Sequence, residues 1–127
     1  MQELHLFEYA VIRVVPRVER DEFLNVGVIL YCARKKYLTA AYMLDEERLK
    51  AFSSKLDVNE LRNHLDSLML ICTGSKDSGP IGQLDAPSRF RWLTAMRSTV
   101  IQTSRVHPGF CKDPELKLRF LLEEQVL

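Results

Sequence analysis

Two consecutive β-type runs, residues 6–16 and 26–33, constrain this chain more than any other feature in it. In the first, Tyr9, Val11, Arg13 and Val15 alternate with Ala10, Ile12 and Val14, and β-branched residues dominate. A period of two reads as a strand, and Pro16 stops it because proline has no N–H to give to a ladder. The second run is almost continuously apolar, as expected of a central strand covered on both faces. Residues 37–43 follow after the short link Arg34-Lys35-Lys36 and predict a hairpin. That link lacks the Asn-Gly or Asp-Gly chemistry that would set the register.

Helix signals follow. Asp45 caps a short helix with Glu46 and Glu47 in its first turn, ending near Ser53. Asp57 and Glu60 form a capping-box-like start, after which Leu61, Leu65, Leu68 and Cys72 recur at helical spacing up to Gly74. Residues 74–87, with three glycines and two prolines, read as a loop. Asp85 or Ser88 caps a helix carrying Arg89, Phe90, Trp92, Leu93 and Met96, and residues 98–104 have strand propensity. His107-Pro108-Gly109 reads as a turn, and Asp113 before Pro114 opens a terminal helix. The expected architecture is α+β: one domain over 1–127, with a small, mostly antiparallel four-stranded sheet packed with about four helices.

A chain of 127 residues, 46% apolar and 28% charged, has the size and composition of one folded globular domain. No run approaches the roughly 18 apolar residues of a membrane span, and the N-terminus lacks the signal-peptide pattern, so a cytoplasmic protein without membrane contact is expected. Cys32, Cys72 and Cys111 are odd in number and widely spaced. They predict inert thiols rather than a zinc site or disulfide framework, with Cys32 and Cys72 buried and Cys111 exposed after its Pro-Gly-Phe turn. A net charge of +1 argues against a dedicated nucleic-acid binder. Residues 86–112 nevertheless hold Arg89, Arg91, Arg97, Arg105 and Lys112 without an acid, near Phe90, Trp92 and Phe110. That mixture can stack single-stranded bases, or it can be helix-spaced core.

The polar residues set into these apolar runs are the candidate site. Arg13, Arg20, Glu22 and Asn25 offer anion binding by guanidinium groups oriented by a carboxylate; the structural alternative is an Arg–Glu pair that staples the first two strands. Gly27 points to close backbone packing or a bulge. Arg97, Gln102 and His107 add amide and imidazole groups around the later strand. Ser98 or Ser104 beside His107 has the elements of a nucleophile and base, but no Gly-x-Ser-x-Gly elbow and no orienting acid accompany them. The expected binding set is therefore Arg13, Arg20, Glu22, Asn25, Arg97, Gln102 and His107, with no catalytic residue, metal or cofactor assigned.

Several blocks in order, Tyr9-Ala-Val-Ile-Arg-Val-Val-Pro16, Glu22-Phe-Leu-Asn-Val-Gly-Val-Ile-Leu30, Gly79-Pro-Ile-Gly82, Arg89-Phe-Arg-Trp-Leu-Thr94, Arg97-Ser-Thr-Val-Ile-Gln-Thr-Ser104 and His107-Pro-Gly109, give the chain a family likeness. It resembles the bacterial domain of unknown function 3037 family. The resemblance implies a stand-alone cytoplasmic protein encoded near a HipA-like kinase-fold protein, and hence a paired system, without supplying a chemistry. The expected function is that of a non-enzymatic accessory or interaction protein, with such a kinase-fold protein or a second copy in a homodimer as partner. An anion- or nucleotide-binding protein, or an enzyme, built on the polar cluster is the alternative. Nucleic-acid binding is the weakest of the readings.

Overall fold

The alternating residues of the first run form strand β1 (His5–Val14), and the apolar second run forms β2 (Leu24–Cys32). They lie antiparallel at the centre of the sheet in a computed structural model that describes residues 3–95 and 99–127. β3 (Tyr37–Tyr42) pairs with β2 from Cys32↔Tyr37 to Gly27↔Tyr42. The hairpin register left open by the sequence is set by Lys36, which takes a left-handed φ of 52° and donates its N–H to the Ala33 carbonyl.

On its other side β1 meets β4 (Ile101–Thr103) and then β5 (His107–Cys111). The order is β3-β2-β1-β4, with β5 also on β1. The expected four strands thus become five because the fourth lane is interrupted. Thr103 faces Ile12 and Ser104 exchanges bonds with Val11, whereas His107 faces Tyr9. The Arg105–Val106 step therefore carries one residue more than β1 opposite it, a bulge. The His107-Pro108-Gly109 segment, expected to be a turn, is strand. Pro108 is tolerated because this lane is an outer edge, and Gly109 because the Phe7 ring lies over it, where a Cβ would sit 2.6 Å from Phe7 Cζ.

A second bulge lies across β1. Ile12 faces Gly27 but Arg13 faces Asn25, leaving Val26 as the extra residue. At Gly27 the backbone approaches so closely that a Cβ would meet the Ala41 carbonyl oxygen at 2.6 Å, so both structural roles expected of this glycine hold.

Among the described residues there are five α-helices against the expected four or so. α1 (Glu46–Phe52) and α2 (Val58–Thr73) begin where the carboxylates of Asp45 and Asp57 accept the N–H groups of Arg48 and Glu60. α2 ends on Gly74 in a left-handed conformation, φ 68°. Inside the expected 74–87 loop lie a short 3-10 turn, Lys76–Ser78, and a one-turn helix, α3 (Gly79–Gly82). α4 (Ala86–Leu93) is capped by Asp85 rather than Ser88, since Ser88 N–H donates to Asp85. The Ser88 hydroxyl, and after it the Ser88 N–H, hold the Asp85 carboxyl below its ordinary range. α5 (Pro114–Gln125) starts on Asp113, as expected.

The helices divide between the two faces of the sheet. On one face Leu49 of α1, Leu61, Leu65 and Leu68 of α2, and Phe90 and Leu93 of α4 pack on Ile12, Val14, Val26, Ile29 and Ile101. On the other, Leu118 and Leu121 of α5 cover Phe7, Val28, Leu30, Cys32 and Cys111. β2 is buried on both sides for this reason, each fully buried Leu or Ile contributing about 1.5–3 kcal/mol. Cys111, expected to be exposed, is buried, because the bulge before β5 turns it toward α5. Burial pushes its thiol above the ordinary value.

Candidate functional site

The fold separates the sequence-derived candidates into two groups. Arg13 lies directly between Asn25 and Gln102, its cross-strand neighbours on the two sides of β1, so all three share the α5 face of the sheet. His107 joins the same face two pairs along, where its ring meets Tyr9 at 5.3 Å. Arg97 and Ser98 lie outside the described residues. Arg20 and Glu22 belong to the β1–β2 connection and line a cleft with the end of α1 instead.

Much of the first group is committed to holding the fold. Asn25 Nδ2 donates to the Gln125 carbonyl at 3.1 Å, and Arg48 donates to the Val126 carbonyl at 3.2 Å, so both tie down the C-terminal end of α5. Gln102 Nε2 donates to the Thr99 carbonyl. The Arg13 guanidinium stacks 3.9 Å from the centre of the Phe23 ring, a cation–π contact, and burial holds its pKa below the ordinary value. Arg13 Nε and Asn25 Oδ1 are both buried without a hydrogen-bond partner among the described residues. Ser104 is also engaged: its hydroxyl accepts from Val11 N–H at 2.8 Å and donates to the Arg105 carbonyl at 2.9 Å. No proton on that oxygen is left for His107 to take.

The basic segment 86–112 is also partly spent. Arg89 donates to the carbonyls of Ile71, Cys72 and Leu84 at 2.9, 2.6 and 3.0 Å, closing the C-terminal end of α2. Phe90 is core, while Phe110 stands exposed. Among the described residues no three of His, Cys, Asp or Glu gather as a metal would require.

Two surfaces carry features the sequence reading missed. Arg20 Nε pairs with Glu22 at 2.6 Å, both about half exposed, on the wall of a cleft of about 460 Å³ that Arg17, Lys50, Phe52 and Lys55 complete. The added cations are scattered through the β1–β2 connection and the α1–α2 link, so no local motif marks them. At the opposite end of the sheet, Leu4, Leu6 and Phe110 are 54%, 54% and 66% exposed and border an apolar cleft of about 290 Å³ with Tyr31 and Ala33. Leu6 and Phe110 are cross-strand neighbours, a pairing visible only once β5 is known to be a strand.

The chain matches the profile of the proteins of unknown function DUF3037 over residues 9–126. It belongs to that family. The DUF3037 match takes in all but the start of β1 and runs through α5, so both bulges, the Arg13 row and the basic cleft fall inside it, while Leu4 and Leu6 precede it. No curated protein and no solved structure matches the chain. No described helix is long and apolar enough to cross a membrane.

Proposed function

We propose that this DUF3037 protein is a cytoplasmic accessory protein that acts by docking to another protein, and that the docking face is the apolar surface of Leu4, Leu6 and Phe110. The observation that carries this reading is the exposure of three large apolar side chains around one cleft at the end of the sheet, where Leu6 of β1 and Phe110 of the outer lane β5 are cross-strand neighbours and Leu4 lies just before β1. Contiguous exposed apolar surface is costly to keep in water and marks partner sites. An outer lane adds unpaired backbone groups on which a partner segment can align. The partner proposed is the HipA-like kinase-fold protein that the family resemblance associates with such chains.

The test is size-exclusion chromatography of the purified pair, with Phe110→Asp as the variant. Phe110 is exposed and surrounds no core, so the variant retains its circular dichroism spectrum while affinity falls by about tenfold or more. A pair that fails to associate, or associates equally well with Phe110→Asp, overturns the reading. Self-association of the wild type that Phe110→Asp abolishes gives the face to a homodimer instead. The anion-binding alternative draws its support from the Arg20–Glu22 cleft rather than from the Arg13 row, where Asn25 is bonded to α5 and Gln102 to the Thr99 carbonyl.

A further inference from the structure

The cleft between the β1–β2 connection and the end of α1 concentrates charge in a chain that is otherwise nearly neutral. Arg17 and Arg20 enter it from one wall, Lys50 and Lys55 from the other, against the single carboxylate of Glu22. That carboxylate is already paired with Arg20. The Lys50 ammonium is steered by the Leu56 carbonyl at 2.5 Å, which accepts one of its three protons and leaves two for a ligand. Pro16 and Phe52 supply the apolar part of the lining.

We propose that this cleft is a binding site for small molecules that carry a polyphosphate group. With Arg20 offset by Glu22, the three remaining cations, Arg17, Lys50 and Lys55, repel one another across a common space, and a monovalent anion relieves little of that repulsion. A compact, multiply charged anion relieves most of it and presents oxygens to both guanidinium and ammonium donors. The volume, about 460 Å³, lies within the range of small-ligand sites, roughly 300–1,000 Å³, and is too small for a folded partner. The adjoining cleft shares Pro16, Arg17, Ser53 and Lys55 but carries Asp57 and Glu60 at its far side, so the attractive region is fenced on that side by like charge. A long polyanion such as a nucleic acid strand would run into those carboxylates, whereas a short polyphosphate stops before them. This site is separate from the docking face and does not depend on it.

The experiment is isothermal titration of the full chain at about 50 mM salt with pyrophosphate, ATP and adenosine. Pyrophosphate and ATP bind, adenosine does not, and affinity weakens as salt rises. The double variant Arg17→Ala/Lys55→Ala, altered only at exposed positions, keeps its melting temperature and loses about tenfold or more in affinity. Arg119→Ala, an exposed cation on α5 outside the cleft, leaves binding unchanged. ATP binding more tightly than tripolyphosphate, with the difference removed by Phe52→Ala, assigns a nucleotide; equal affinity assigns the polyphosphate group alone. Absence of heat with both phosphates at low salt overturns the proposal, as does an Arg119→Ala loss equal to that of the double variant.

Discussion

Cys72 sits in the last turn of α2, buried against the helices and the sheet, with the Arg89 guanidinium nearby. Burial pushes its thiol up to about 12, the cation opposing only part of the effect. A group whose folded pKa exceeds its unfolded value stabilises the fold fully below the unfolded value and loses that contribution as pH rises through the folded one. Stability should therefore hold to about pH 9 and fall toward about pH 12. Tyr37, raised mainly by burial, and Tyr42, raised mainly by its hydrogen bond to Asp66, act in the same direction. Urea midpoints measured across this range should show the decline, and Cys72→Ala should flatten it; an unchanged slope would refute the assignment to Cys72. The sequence supports the inertness of this residue, since nothing activating flanks it. It is silent on Arg89, which arrives from another helix 17 residues away.

The helix ends are where local sequence and structure agree most closely. Asp45, Asp57 and Asp113 each accept the N–H groups their spacing implies, because a cap is an interaction between residues three apart at most. The C-terminal end of α2 is different, because Arg89 crosses from α4 to bond its last carbonyls. Arg89→Ala should lower stability by about 1.5–3 kcal/mol in equilibrium unfolding. Arg89→Lys should recover only part of this, since an ammonium cannot span three carbonyls as a guanidinium does. Full rescue by lysine would show that charge alone matters. β5 was illegible for the converse reason. His-Pro-Gly carries turn chemistry by composition, and its strand state comes from β1 alongside, whose Phe7 needs a neighbour without a Cβ. The candidate site was half legible: Arg13, Asn25 and Gln102 do meet, but only through strand registers that no local pattern displays. The Arg17, Lys50 and Lys55 cleft arises from segments some 30 residues apart and left no periodic trace.

In the whole molecule the sheet lies between two apolar layers, with β1 and β2 holding strand neighbours on both sides. Hydrogen exchange should reflect this layering. The amides of Ala10–Ile12 and Val28–Leu30 should exchange slowest, near the rate of global unfolding, and those of residues 76–82, which form only single turns, should exchange fastest. Fast exchange in β1 would mean that the two layers open independently. The extra residue at Arg105–Val106 carries a consequence for how the chain tolerates length changes. It sets the parity of everything after it, so that Phe110 faces outward and Cys111 inward. Deleting one residue there would exchange the two, hiding the aromatic knob and presenting a thiol to solvent. Arg105 is exposed and Val106 packs on the core, so a substitution here acts on its own side chain alone, whereas a single-codon deletion would invert the chemistry of the surface it leads to.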